Sequence, residues 1–150
     1  VPEAIFYFIG GTDSDIEKFK KDYGAFPNVR IIGRKPHAEM PLWQKAANVL
    51  VIPNTAKERI AKYYTSPMKM FEYACSGTPI AASDMPSMRA LLTEDNSYLC
   101  EPDNQESFAK GIRSALTDPD ATVRALKARE AVEEHDWDKR AVRLLKILSE

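Results

Sequence analysis

Asn48-Val49-Leu50-Val51-Ile52-Pro53, then Ser66-Pro67-Met68-Lys69-Met70-Phe71-Glu72-Tyr73-Ala74-Cys75-Ser76-Gly77, then Thr78-Pro79-Ile80-Ala81-Ala82 read as strand, helix, strand. The first run is β-branched and apolar, and Pro53 stops it. Ser66-Pro67 predicts a helix start with Ser at the N-cap and Pro at the first helical position. Gly77 is the natural stop, and residues 79–82 form the next strand. The alternation extends both ways from there. Residues 4–9 predict a strand ended by Gly10-Gly11. Ser14 with Glu17 reads as a capping box that starts a helix to about Tyr23. Residues 29–32 form a strand closed by Gly33, and a helix follows over 37–47. Residues 54–64 read equally as loop or irregular helix. Pro86 opens a short helix to about Leu92, residues 97–100 make a fifth strand, and Asp103 with Glu106 caps a helix to about Leu116. Two helices follow the Asp118-Pro119 turn. Strands alternating with helices imply βαβ units, hence an α/β chain with a parallel sheet. Ligands of such sheets bind beyond the carboxyl ends of the strands, here after Ile9, Ile32, Ile52 and Ala82.

The chain has 150 residues, the size of one domain, and 44% hydrophobic residues can bury a core. Lys plus Arg is 21 and Asp plus Glu is 22, so the net charge is -1. That balance excludes a globally basic nucleic-acid binder. No apolar run approaches the roughly 20 residues of a membrane span. Cys75 and Cys100 are too few for a disulfide framework, and His37 and His135 lack metal-ligand spacing. A reducing, cytoplasmic setting follows as the expectation. The chain opens at Val1 and reads as a piece of a longer protein. In the last helix Trp137, Ala141, Leu144, Leu145 and Leu148 fall on one face. That face is expected to dock on the chain's own sheet rather than on a membrane or partner, because the opposite face mixes signs.

The chemistry gathers at Ser66. A helix N-terminus offers unpaired N–H groups and partial positive charge to an anion. Ser66 adds a hydroxyl and Lys69 a full charge in the first turn. Glu72, three residues on, is a carboxylate suited to ribose hydroxyls. These parts suit a nucleotide diphosphate. An ordinary helix start with a Lys69–Glu72 surface pair satisfies the same residues. Met68, Phe71 and Cys75, at helical spacing, read as core. Asp118-Pro119-Asp120 has the form of a metal-binding Asp pair, but between two helices it reads as cap and turn, and no metal is expected. His37 and His135 are acid–base candidates, with capping or solvation as the plainer reading. Gly10-Gly11 lacks the further glycines of a dinucleotide fingerprint.

Ser66-Pro67-Met68-Lys69-Met70-Phe71-Glu72-Tyr73-Ala74, with Ser76-Gly77-Thr78-Pro79-Ile80-Ala81-Ala82-Ser83-Asp84, resembles the donor-binding signature of retaining glycosyltransferases of the GT4 (group 1) family. Phe8-Ile9-Gly10-Gly11, Asn28 to Gly33, Glu101-Pro102-Asp103-Asn104 and His135-Asp136-Trp137 fall in the family's order. The resemblance implies a GT-B enzyme of two Rossmann-like lobes, of which this chain is similar to the C-terminal, nucleotide-sugar-binding lobe. It implies that Glu72 binds ribose, that Ser66, Pro67, Met68 and Lys69 surround the diphosphate, and that Gly33 and Arg34 lie beside the base. Tyr64 stands where the family commonly has an acidic residue, which makes a phenol the expected sugar contact there. Ala90 stands where relatives often have Glu.

The family's lobe usually opens with a strand and a Lys/Arg-bearing loop at the diphosphate, and by the resemblance this chain is expected to start after that strand. The first strand is then expected either to pair directly with the strand at 48–52 or to leave exposed edges. The implied function is transfer of a sugar from a UDP- or GDP-sugar to a hydroxyl acceptor, with retention, as a hexosyltransferase. The donor is a substrate, and no cofactor is expected. The acceptor, a glycan or lipid-linked saccharide, would enter through an N-terminal lobe, without which the lobe is expected to be inactive. The parent protein would be cytoplasmic or peripheral to the inner membrane face. The rival readings are a non-catalytic nucleotide-binding α/β module and a receiver- or dehydrogenase-like domain.

Overall fold

The computed structural model describes residues 1–149 and divides into two compact units, Val1–Trp43 and the chain from Gln44 onward. In the first unit β1, Phe6–Ile9, pairs in parallel with β2, Val29–Ile32, in the register Phe6↔Val29 to Ile9↔Ile32. Helix α1, Asp13–Tyr23, makes the crossover. The expected cap at Ser14 lies two residues too late. Thr12 is the N-cap: its hydroxyl accepts from the Asp15 amide while the Asp15 carboxylate accepts from the Thr12 amide. Asp15, not Glu17, is the third residue from the cap, so it alone can reach back. Gly10 and Gly11 carry φ of 113° and 91°, a conformation that needs glycine. The predicted 37–47 helix is a 3₁₀ turn, His37–Glu39, followed by α2, Met40–Ala46. No residue of this unit is fully buried. Phe8 packs on Phe19, and Phe19 on Tyr23, as a half-exposed aromatic row.

The second unit holds the core. Strands β3, Leu50–Ile52, β4, Ile80–Ser83, and β5, Tyr98–Cys100, form a parallel sheet in that order, with every residue of central β4 buried. Between β3 and β4 lie α3, Arg59–Tyr63, and α4, Met68–Ser76. After β5 come α5, Gln105–Thr117, and α6, Ala121–Val132; a 3₁₀ turn, Glu133–His135, leads into α7, Trp137–Leu148. Ile52, Met70, Ala74, Ile80, Ala82, Met85, Met88, Leu92, Ala128 and Val132 form one cluster in which α4 and α6 meet the sheet. Gly77 closes α4 in the left-handed conformation, as its position predicted.

The fold is α/β with parallel sheets flanked by helices, as expected, but two sheets stand where one was expected. β1 pairs with β2 and β3 pairs with β4; among the described residues neither β1 nor β3 has a second hydrogen-bonded strand.

Four local expectations also change. Residues 86–91 form successive turns rather than a helix. The Ser87 amide and hydroxyl are spent on the Lys62 and Ala61 carbonyls, while Met85, Met88, Leu91 and Leu92 all point inward. Asn104, not Asp103, caps α5 by accepting from the amides of Glu106 and Ser107. On α4 the inward residues are Met70 and Ala74. Met68 and Cys75 are exposed and Phe71 is half-buried, because the helix turns the 70/74 row to the sheet. Helix α7 buries nothing: Trp137 and Leu148 are each 81% exposed. It is held instead by Lys139 and Arg143, which donate to the Glu133 and Glu134 carbonyls of the preceding turn.

Candidate functional site

The carboxyl ends of the second sheet lead into three loops. After β3 the chain runs through Pro53 to Pro67 before α4 begins at Met68. Pro67 occupies the N-cap position (φ −66°, ψ 127°) and has no side-chain acceptor to offer. Ser66, the expected cap, stands one residue outside and makes no cap hydrogen bond. Helices α1, α5 and α7 are closed by Thr12, Asn104 and Asp136 oxygens. Helix α4, like α3 and α6, starts with no capping side chain and no acid in its first turn, and Lys69 stands there as an exposed cation. Its first amides and Lys69 together present positive charge to an anion. Glu72 follows one turn on, half-buried.

The approach to that helix start is pinned by polar contacts. Ser83 at the end of β4 donates to the Asn54 carbonyl at 2.6 Å. The Asp103 carboxylate, beyond β5, accepts from the Thr55 hydroxyl at 3.1 Å and the Ala56 amide at 3.0 Å. Thr65 closes the segment by donating through both amide and hydroxyl to the Ile60 carbonyl. Tyr64 is 70% exposed and lies tilted 6.3 Å from Tyr63.

The structure thus brings Ser66, Pro67, Met68, Lys69 and Glu72 together on one helix start, with Tyr64 on the loop entering it. Gly33 and Arg34 follow the carboxyl end of β2 in the first unit, Gly33 half-buried and Arg34 exposed. Sequence reasoning missed Asn54, Thr55, Ser83 and the true use of Asp103. Only Asp103 carried a signal, an acid directly after Pro102 at a strand end.

The remaining polar candidates are engaged elsewhere. Asp84, at the end of β4, is bound by the Arg89 guanidinium, whose hydrogen bond holds the carboxyl below the usual range. Asp118 acts as the turn residue its Asp-Pro-Asp context predicted: it accepts from the Asp120 amide, the Tyr98 hydroxyl and Arg124. His135 packs its ring 5.6 Å from Phe71. Among the described residues no helix is long and apolar enough to cross a membrane.

Residues 1–118 match the family model described as glycosyl transferases group 1. The chain belongs to the group 1 glycosyltransferases. This group 1 chain is 27% identical over 129 residues to D-inositol 3-phosphate glycosyltransferase 1 of Catenulispora acidiphila, covering 81% of the chain and 29% of that protein. Its fold is similar to sucrose-phosphate synthase of Thermosynechococcus elongatus (TM-score 0.76, 23% identity, 95% of this chain and 37% of that one). It is also similar to Anabaena HepE in complex with UDP (TM-score 0.79, 18% identity, 99% and 42%). The same HepE in complex with UDP-glucose gives a TM-score of 0.77 at 17% identity, over 99% and 42%. The chain therefore spans less than half the length of each of these relatives.

Proposed function

We propose that this chain is the donor-binding lobe of a retaining group 1 glycosyltransferase. It takes a UDP- or GDP-sugar whose hexose is transferred to a hydroxyl acceptor. One observation carries the reading: α4 opens at the carboxyl edge of a parallel sheet with no capping side chain and with Lys69 in its first turn. HepE, which shares this fold, is in complex with UDP and with UDP-glucose in its crystal structures, and that supports a uridine donor.

The mechanism follows from charge. As the glycosidic bond to the diphosphate breaks, negative charge builds on the leaving phosphate. The α4 amides and the Lys69 ammonium stabilise that charge where it develops, which lowers the barrier rather than merely tightening binding. The Ser66 hydroxyl adds a donor beside the diphosphate. Glu72 accepts from the ribose hydroxyls, and Tyr64 presents its phenol to the sugar. In this reading the protein supplies the neutralising charge itself, without a metal cofactor. The acceptor, a glycan or lipid-linked saccharide, is bound by a further lobe, in a cytoplasmic or membrane-peripheral parent. The chain alone then binds donor without transferring the sugar, as a nucleotide-binding module would.

Calorimetric titration of the chain with UDP, GDP and their sugar conjugates, with EDTA present, tests the reading. Saturable binding to one base is expected. A folded sample that binds neither nucleotide overturns it.

A further inference from the structure

Asp103 has φ 60°, and among the described residues it is the sole non-glycine with positive φ. Aspartate reaches this region more readily than most residues, yet at a conformational cost that glycine avoids. Such outliers persist where surrounding contacts demand them. Here the demand comes from 47 and 48 residues upstream: one carboxylate oxygen accepts from both the Ala56 amide and the Thr55 hydroxyl.

The neighbouring contacts extend the clamp. The Thr55 hydroxyl also accepts from the Lys57 amide at 3.2 Å, and Asn54 is held by Ser83. Farther along, Ser87 holds Ala61 and Lys62. Residues 54–57 form the start of the segment that delivers Tyr64, Ser66 and α4. Asp103 lies outside the buried core cluster, so its side chain orders this segment rather than filling the interior. The Thr55 hydroxyl, with the Ala56 amide behind it, holds the Asp103 carboxyl below the usual range, so the acceptor stays ionised at neutral pH.

We propose that Asp103 is a positioning residue for the nucleotide-sugar site: its left-handed backbone aims a carboxylate that clamps Thr55 and Ala56, and so fixes the path from β3 to the α4 N-terminus. The proposal rests on the donor reading given above. A loosened segment spends less time in the binding geometry, and apparent affinity falls by the fraction of that time lost.

The test compares Asp103→Gly, Asp103→Asn and the unaltered chain. Gly relieves the backbone and removes the clamp. Asn tolerates the same backbone and keeps one acceptor oxygen. The readouts are UDP and GDP affinity by calorimetry, thermal midpoint, and amide exchange over residues 55–66. Asp103→Gly is expected to keep its thermal midpoint, to exchange faster over 55–66, and to bind UDP about tenfold more weakly if the ordered fraction drops to roughly a tenth. Asp103→Asn is expected to recover most of the affinity and the protection. Unchanged affinity in Asp103→Gly, while the unaltered chain binds, overturns this role alone. An unaltered chain that binds neither UDP nor GDP overturns the donor reading and this role with it. If Asp103→Gly does not fold, Asp103→Ala is read in its place: loss of both UDP affinity and protection over 55–66 supports the clamp, and an Asp103→Ala that keeps its affinity overturns it.

Discussion

Gly111 sits mid-way along α5, where glycine costs about 1 kcal/mol relative to alanine, so sequence alone favours Gly111→Ala. The structure reverses that expectation. Helix α5 lies against β5 and β4, and a methyl built on Gly111 would fall inside the envelope of the Cys100 sulfur. Cys100 is 1% exposed, and its thiol already donates to the Tyr98 carbonyl at 3.5 Å. With the thiol buried, either the sulfur must turn away or helix and strand must shift. Overpacking of this kind costs about 1–3 kcal/mol, against the gain of about 1 kcal/mol from helix propensity. Gly111→Ala is therefore expected to be neutral to destabilising by about 2 kcal/mol. In a Cys100→Ala background the collision is gone, and the same substitution should stabilise by up to about 1 kcal/mol while filling the space the sulfur left. Urea unfolding of the four proteins of this cycle, at constant denaturant dependence, gives a coupling of about 1–3 kcal/mol. An equal gain of about 1 kcal/mol in both backgrounds would refute the seating of α5 on Cys100.

Other expectations are as direct. Thr12→Ala should cost about 1 kcal/mol through loss of the α1 cap, and Ser14→Ala less than about 0.5 kcal/mol, both read by thermal unfolding. Cys75 is exposed, whereas burial pushes the Cys100 thiol up to about 11. A thiol reagent at pH 8 should therefore label one cysteine quickly and the second only on unfolding. Burial, then the hydrogen bond to Asp118, pushes the Tyr98 phenol up to about 12. A raised folded-state value gives stability that is complete below the unfolded value near 10 and lost as pH rises toward 12. Tyr98→Phe should lessen the alkaline loss between about pH 10 and 12 in chemical-denaturation curves; an unchanged pH dependence would remove Tyr98 as its source. Glu72→Ala should weaken nucleotide binding by roughly 1–3 kcal/mol in calorimetry, and unaltered affinity in a folded variant takes Glu72 out of the site.

Local chemistry carried much of this molecule in its sequence. Gly77 at the end of α4, the strand at 29–32 and the Asp118 turn needed only backbone preference and short-range hydrogen bonds, and each stands where the residues put it. The errors lie where two local solutions compete and a distant partner chooses. Thr12 and Ser14 both can cap, and reach to Asp15 decides for Thr12. Asp103 and Asn104 both can cap α5, but Thr55 and Ala56 claim Asp103, so the role passes to Asn104. The donors that claim Asp103 lie after β3, outside residues 101–106. At the candidate site the α4 helix was legible from order alone but its start was expected one residue early, and the hydrogen bonds from Thr55 and Ala56 to Asp103 were not legible at all.

Burial was the least legible property, and the first unit shows why. Phe6-Tyr7-Phe8-Ile9 is a continuous apolar run, the pattern of a parallel strand covered on both faces. It does form a parallel strand, yet Tyr7 is 55% and Phe8 41% exposed, and no residue of Val1–Trp43 is fully buried. The same holds for α7, whose apolar stripe was read correctly as a stripe and wrongly as a buried one. Side-chain periodicity fixes which residues share a face. Whether that face is covered depends on elements that the segment does not contain. A strand with one neighbour gains little beyond its own hydrogen bonds, since two strands alone are marginal in water. The amides of β1 and β2 should thus exchange by local opening at low cost, while those of β4, buried along its whole length between β3 and β5, should exchange only with the unfolding of the second unit. Residue-resolved hydrogen exchange separates the two regimes, and protection of β1 equal to that of β4 would mean that the aromatic row of Phe8, Phe19 and Tyr23 is a far better core than its exposure allows.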